Sequence, residues 1–180
     1  RGGHVAQELA IGVAPVSDQE RAAWQTLPPG DEMLANAGLV PADGSAAVEF
    51  NERTLAAPSV DVHALWAGDA DAVKTVISSV AHAMVSIRLA PGQDPTVVGA
   101  RFDELLRAAA PPGADVQVAR CGDASPGVMD PAHPMMQAAA RGLASATGVT
   151  ATPVRSGGTL PIFSALTGRG IPTVMTGFAL

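Results

Sequence analysis

The chain has 180 residues, of which 47% are hydrophobic and 16% charged, and its formal net charge at pH 7 is -6. This composition is typical of a folded chain with a core, and the acidic balance excludes the basic surface that nucleic acids and anionic membranes require. Cys121 is the single cysteine, which excludes an internal disulfide and a cysteine-based zinc ribbon. No apolar run is long enough to cross a membrane, and we predict a cytoplasmic protein with no nucleic-acid or membrane partner.

The first part of the chain predicts short helices separated by turn residues. Ser17 and Glu20 have the spacing of a capping box, which satisfies free amide donors at a helix start. Two more short helices are predicted at 31–36 and 51–56, each ended by Gly or Pro. We interpret residues 1–57 as a helical elaboration that leads into the next domain.

The pattern then changes to a period of two. Residues 59–64 and 80–90 alternate apolar and polar side chains, so each predicts a strand with one apolar face. Asp94, followed by Pro, predicts the N-cap of a helix, and a third strand is predicted over 114–121. Strand, strand, helix and strand make up most of an α+β, ferredoxin-like unit whose first strand and helix are missing. We assign this unit to residues 58–125.

The last part of the chain alternates helices with short extended pieces. Asp130 predicts the cap of a helix that Gly148 ends, and a further helix is predicted to open at 156–159. Residues 171–180 are apolar and predict a buried strand. This alternation predicts that residues 126–180 form the edge of an α/β domain.

Catalytic and metal-binding patterns are not found in this sequence. The histidines lie singly, with no His-Glu-x-x-His spacing and no paired carboxylate cluster, and we interpret each as a surface or core histidine: His4, His63, His82 and His133. Cys121 has no histidine or acid partner at a recognisable spacing and is interpreted as a packing residue. We therefore predict no catalytic residue and no metal ligand within this chain.

Two features predict an anion-binding site, and each has an ordinary structural alternative. Gly157 and Gly158 allow a backbone to approach a ligand closely, and Thr159 adds a hydroxyl at a helix start whose free amides favour an anion. A glycine turn with an ordinary cap has the same spacing. Arg88 lies on the polar face of the second strand, where its guanidinium either holds a carboxylate with two hydrogen bonds or is an exposed sheet-face arginine.

Four stretches, in this order, resemble parts of a known enzyme family. They are LWAGDADAVKTVISSVAHAMVSIRLAPGQDP at 65–95, VMDPAHPMMQAAARGLASATG at 128–148, SGGTLPI at 156–162 and VMTGFAL at 174–180. Together they resemble the lid and the C-terminal part of the catalytic domain in the carnosinase, carboxypeptidase G and succinyl-diaminopimelate desuccinylase family of zinc metallopeptidases. The combination and its order are specific, whereas any single stretch is not.

The resemblance implies a ferredoxin-like lid that forms a homodimer and interrupts an α/β domain holding two zinc ions. It implies that Thr75 reaches the substrate carboxylate in the partner subunit's site, and that Arg88 binds the substrate from its own lid. It implies that Gly158 and Thr159, next to Gly157, line the substrate carboxylate pocket. The substrate class implied is a small peptide or an N-acyl amino acid.

The sequence departs from the family pattern in two ways. Ser78, Ser156 and Thr159 replace the usual Pro, Glu and Ser, which leaves the exact substrate open. The family's zinc ligands, catalytic glutamates and lid oxyanion histidine would lie outside this stretch, so we expect it to bind no zinc and to be inactive alone. Our first hypothesis is the substrate-binding and dimerisation part of a zinc-dependent dipeptidase-like amidohydrolase. The alternatives are a non-catalytic dimerising lid module and a small anion-binding α/β protein built on residues 156–159.

Overall fold

The structure, a computed structural model, describes residues 4–41, 44–69, 71–72, 74–155 and 160–176. After a 3-10 helix at Gln7–Ala10, the elements in chain order are α1 (Asp18–Trp24), α2 (Gly30–Asn36), α3 (Ser45–Val48), α4 (Phe50–Leu55), β1 (Ser59–Ala67), β2 (Ala81–Arg88), α5 (Pro95–Ala109), α6 (Pro134–Thr147) and α7 (Pro161–Thr167). The fold is small and α+β, with one two-stranded antiparallel sheet among the described residues. No helix in these ranges is long and apolar enough to cross a membrane.

The sheet is an antiparallel ribbon of β1 and β2, and it confirms the two strands predicted from the period of two. Ser59 lies opposite Arg88 at one end of the ribbon, and Ala67 lies opposite Ala81 at the other. Because side chains alternate along a strand, one face of the ribbon is mainly apolar and the other carries polar side chains. At the end with Val60 and Ile87 the apolar face meets the core, whereas Val62 and Leu65 further along the same face are 63% and 75% exposed.

A small hydrophobic core forms where α5 packs against the apolar face of the ribbon. Its buried residues are Leu9, Leu89 and Val98, and partly buried side chains pack around them: Val5, Val60, Ile87, Phe102 and Leu105. The predicted cap of α5 is confirmed, because the Asp94 carboxylate accepts hydrogen bonds from the backbone N of Thr96 at 2.7 Å and of Val97 at 3.2 Å. This core lies at the end of the ribbon that carries Arg88.

Three N-terminal helices, α1, α2 and α4, follow the sequence prediction, whereas the 3-10 helix and α3 were not predicted. The capping box of α1 is confirmed: Ser17 Oγ accepts from Glu20 N at 3.2 Å, and Ser17 N donates to Glu20 Oε2 at 2.9 Å. The helices predicted at 31–36 and 51–56 are observed as α2 and α4. These elements are short, so packing against their neighbours, rather than helix length, holds them in place.

The third strand predicted over 114–121 is wrong, because the structure has no strand there. Val116 and Val118 are half-buried, so the alternation that suggested the strand is present in the side chains. The backbone of this segment does not pair with either strand of the ribbon. Arg120 instead donates a hydrogen bond to Asp103 of α5 at 3.2 Å, which holds the segment beside the helix. A period of two fixes where side chains point, whereas a strand also needs a neighbouring backbone.

The C-terminal part also differs from the prediction in two places. α6 is capped by His133 rather than Asp130, since the Nδ1 of His133 accepts a hydrogen bond from the first turn of the helix at 3.1 Å. Gly148 ends the helix as predicted, with a φ of 73°. The strand predicted for the end of the chain is wrong over 171–176, and residues 177–180 lie outside the described residues.

Candidate functional site

Arg88 is the last residue of β2 and lies on the polar face of the ribbon. Its Nε donates a hydrogen bond to Oδ2 of Asp61 on β1 at 3.3 Å. The two side chains are 57% and 45% exposed, and ion pairs this exposed add little to stability. Nη1 and Nη2 of Arg88 make no hydrogen bond to another described residue, so the forked end of the guanidinium is available to a ligand. This arrangement fits both interpretations of Arg88, a carboxylate-binding group and an exposed sheet-face arginine.

The face that carries Arg88 also carries two further contacts between the strands. The Nε2 of His63 lies 2.7 Å from Ser86 Oγ, and the rings of Trp66 and His82 stack with their centroids 4.9 Å apart. The register shift between Val62 and Ala64 in β1 brings Trp66 to this face, opposite His82. The cross-strand partners of both histidines depend on the register and the bulge, which no local sequence pattern predicts.

Thr75 lies in the connection between β1 and β2, at the end of the ribbon opposite Arg88, and it is exposed. β2 spans Ala81–Arg88, so the two ends of the ribbon are separated by about 24 Å at a rise of about 3.4 Å per residue. The structure therefore does not bring Thr75 and Arg88 together within one chain.

The predicted anion site at Gly157, Gly158 and Thr159 lies outside the described residues. The helix predicted to open there is observed as α7, which begins at Pro161. On the other side of the gap, Arg155 is the last described residue before 156–159.

No sequence pattern pointed to Arg155, whose guanidinium forms an ion pair with Glu20 of α1 through two hydrogen bonds. Its Nε donates to Glu20 Oε1 at 2.7 Å, and its Nη2 donates to Oε2 at 2.9 Å. The side chains are 11% and 26% exposed, so this pair is shielded from solvent far more than the Arg88 pair. The two residues are 135 positions apart, and no local pattern predicts such a contact.

The contact with Arg155 changes the pKa of Glu20. The hydrogen bond from Arg155 lowers the pKa of Glu20 from 4.5 to about 2, and the hydrogen bonds from Ser17 act in the same direction while burial opposes them. The carboxylate is therefore charged over the whole physiological range.

A groove of about 710 Å³ lies between the 3-10 helix and α5, away from these residues. Its lining contains none of the predicted site residues and is open to solvent. The described residues also contain no group of three or more His, Cys, Asp or Glu side chains placed to hold a metal ion. The candidate site residue that the described part of the chain places on a strand face is therefore Arg88, outside this groove.

The fold is shared with solved structures of a metallo-carboxypeptidase and of two dipeptidases, whereas no family model and no curated protein matches the chain. One is an M20 family metallo-carboxypeptidase, Sso-CP2 from Sulfolobus solfataricus, with a TM-score of 0.76 and 21% identity over 94% of this chain and 39% of that chain. The dipeptidase Dug1p from Saccharomyces cerevisiae has a TM-score of 0.65 and 21% identity over 95% of this chain and 38% of that chain. Human carnosine dipeptidase 1 has a TM-score of 0.64 and 20% identity over 93% of this chain and 38% of that chain.

These likenesses confirm, at the level of the fold, the resemblance to carnosinase-type metallopeptidases that the sequence motifs predicted. The chain spans less than two fifths of the length of each of these structures. What is shared is therefore part of a peptidase fold.

Proposed function

We propose that the chain is the lid and substrate-binding part of a zinc-dependent, dipeptidase-like amidohydrolase that cleaves a peptide or N-acyl amino acid amide bond. The observation that carries the proposal is the fold match to the metallo-carboxypeptidase, which covers 94% of this chain with a TM-score of 0.76. The motifs at 65–95 and 156–162 support it because they resemble different parts of the proteins of one family. Fold alone does not define function, so the proposal also rests on the site.

The proposed site binds the free carboxylate of the substrate. Arg88 has its Nε engaged by Asp61 and its terminal nitrogens available, which orients the guanidinium for a forked contact with a carboxylate. We assign the other carboxylate contacts to Gly157, Gly158 and Thr159. The proposed domains are a helical elaboration at 1–57, a ferredoxin-like lid at 58–125 and part of the α/β catalytic domain at 126–180.

The metal chemistry is assigned to the rest of the enzyme. Zinc supplies an activated water and polarises the amide carbonyl in hydrolases of this kind. The described residues do not fit a zinc site, because no group of three or more ligand side chains comes together in them. We therefore derive no catalytic step from this chain, and its contribution is substrate binding.

The proposed assembly is a homodimer through the lid, in the cytoplasm. The connection that carries Thr75 also carries Val76 and Ile77, which are 74% and 99% exposed. Exposed apolar side chains at the tip of a ribbon support a contact with another chain. In that dimer, Thr75 contacts substrate in the partner subunit's site.

The test is amide hydrolysis by the whole protein that carries this chain, with dipeptides and N-acetyl amino acids and their carboxamide analogues as substrates. We expect chelator-sensitive hydrolysis, and Arg88→Ala should lower kcat/KM about ten- to hundredfold for free carboxylates and much less for the carboxamides. Arg88→Lys should restore only part of the loss, because an ammonium cannot make the forked contact.

The matched control is Arg101→Ala, which removes another exposed arginine, paired with Glu104 on α5. Unchanged kinetics in both Arg88 variants would contradict the assigned site. Absence of any hydrolysis by the whole protein would favour the non-catalytic lid module. Chelator-sensitive hydrolysis by the 180-residue chain alone would show that the metal chemistry was assigned to the wrong part.

A further inference from the structure

Arg155 contacts two backbone carbonyl groups in addition to the Glu20 carboxylate. Its Nη1 donates to the backbone O of Ala14 at 2.8 Å, and its Nη2 donates to the backbone O of Pro15 at 2.7 Å. With the two bonds to Glu20, all three guanidinium nitrogens are engaged by one short stretch, residues 14–20. A planar group held on all its nitrogens has one orientation relative to that stretch.

The residues just before Arg155 make a second contact with the same region. The Oγ1 of Thr152 lies 3.0 Å from the Oγ1 of Thr26, which follows α1. Residues 152 and 155 thus both meet the α1 region. These hydrogen bonds join the proposed catalytic part of the chain to the N-terminal elaboration.

The stretch that holds Arg155 is itself fixed to the end of β2. Ala14 N donates to the backbone O of Pro91 at 2.7 Å, shortly after Arg88 in the chain. Gln93, whose exposed fraction is 4%, donates from Nε2 to the backbone O of Leu9 at 2.8 Å and of Ile11 at 3.0 Å. The turn after β2 is therefore joined to residues 9–14 by one backbone–backbone hydrogen bond and by two hydrogen bonds from the Gln93 side chain.

We propose that Arg155 is a positioning residue that fixes the C-terminal part of the chain relative to Arg88, through residues 9–20. The connection runs from the turn at 91–93 to residues 9–14, and from residues 14–20 to Arg155. This inference rests on the proposed function, in which Arg88 and the C-terminal part bind one substrate. Two groups that bind one ligand must be held at a fixed separation, because misplacement by about 1 Å lowers activity markedly.

Glu20 both completes the capping box of α1 and binds Arg155, so the variants must separate these two roles. Glu20→Gln keeps a residue that completes a capping box and removes the carboxylate that Arg155 binds. Arg155→Gln removes the guanidinium, and Arg155→Lys keeps its charge without the fork. The matched control is Arg21→Gln, because Arg21 lies on the same helix and forms an exposed ion pair with Glu52.

The direct test measures the separation of α5 and α7 with spin labels. Labels are attached through Ala100→Cys and Ala165→Cys in a Cys121→Ser background, at exposed positions of the two helices. We expect one narrow distance distribution in the parent and in Arg21→Gln, and a broader or shifted one in Glu20→Gln and Arg155→Gln, with Arg155→Lys between them. The same narrow distribution in every variant would overturn the proposal, and circular dichroism checks that each variant is folded.

The second arm titrates the 180-residue chain with N-acetylalanine and measures Kd in Arg88→Ala, Arg155→Gln and the double variant. We expect Arg155→Gln to raise Kd about tenfold and to reduce the effect of Arg88→Ala, because residues that act together are not additive. Broadened distances with an unchanged Kd would show that Arg155 joins two parts of the chain without affecting ligand binding, which contradicts the positioning role. If the parent does not bind N-acetylalanine at all, the proposed function fails, and the spin-label distances still decide whether Arg155 fixes the two parts.

Discussion

The Glu20 carboxylate serves two partners that lie far apart in the sequence. It completes the capping box with Ser17 and accepts two hydrogen bonds from Arg155. Both sets of contacts favour the ionised form, so the pKa of Glu20 falls to about 2. The same charge therefore stabilises the start of α1 and the contact with the C-terminal part of the chain.

A pH dependence of stability follows from that pKa. The pKa of Glu20 is 4.5 in the unfolded chain and about 2 in the folded one, so the unfolded state takes up the proton first as the pH falls. The stabilisation is therefore complete above pH 4.5 and is lost as the pH falls towards about 2. Glu20→Gln should lower the free energy of unfolding by about 1.5–3 kcal/mol at neutral pH, and the difference from the parent should shrink across this window.

Urea denaturation of the parent and of Glu20→Gln between pH 2 and 7 measures this difference. The other carboxylates titrate in both proteins, so the comparison isolates Glu20. A difference that stays constant down to pH 2 would show that Glu20 is not held in its ionised form.

Residue-level contacts divide sharply into those the sequence predicts and those it does not. The Ser17–Glu20 cap is predictable because its two residues are three positions apart and meet in any helix. Arg88 was predicted to lie on the polar face, but its partner Asp61 depends on how two strands align. Arg155 pairs across 135 positions, so only the folded chain brings it to Glu20.

The turn after β2 lies close against the backbone of residues 12–14. Gly92 has a φ of 90°, and a Cβ on it would lie 2.6 Å from the backbone O of Gly12 and 3.0 Å from the backbone N of Ala14. A side chain there meets both backbone strain and a clash with a backbone that other hydrogen bonds fix.

We predict that Gly92→Ala lowers the free energy of unfolding by about 2 kcal/mol or more. Gly113→Ala is the control, because Gly113 has a similar φ of 84° but nothing within 4 Å of its added Cβ. That variant should lose only the strain energy, about 1 kcal/mol. Equal losses in the two variants, measured by chemical denaturation, would mean that the 91–93 turn does not hold residues 9–14.

The elements that the sequence predicted well are those defined by local signals. Asp94 followed by proline predicted the start of α5, and the period of two predicted both strands of the ribbon. The prediction of a strand at 114–121 was wrong because the alternation of its side chains reflects half-burial beside α5 and not pairing with another strand. For α6 only the predicted start was wrong. Asp130 and His133 both precede the helix, and His133, which is closer to it, is the residue that caps it.

At the scale of the whole molecule, the exposed apolar residues of the ribbon lead to a prediction about assembly. A two-stranded ribbon leaves an unpaired backbone edge on each side, and such edges favour pairing with another chain. We predict a homodimer through residues 59–121, built from the same surface on both subunits. Ile77→Lys should weaken it, since Ile77 is 99% exposed in the single chain.

Light scattering over a concentration series measures the assembly. Val149→Lys is the control, because Val149 is 67% exposed and lies outside the predicted interface. A whole protein that stays monomeric at about tens of micromolar would remove the basis for placing Thr75 in a partner's site.

Carboxylate binding by Arg88 is measured by a calorimetric titration. The 180-residue chain and its Arg88→Ala variant are each titrated with N-acetylalanine and with its carboxamide. We expect the parent to bind the carboxylate about tenfold or more tightly than the carboxamide, and Arg88→Ala to abolish this preference. Equal affinity of the parent for the two ligands, or a preference that survives Arg88→Ala, would contradict it.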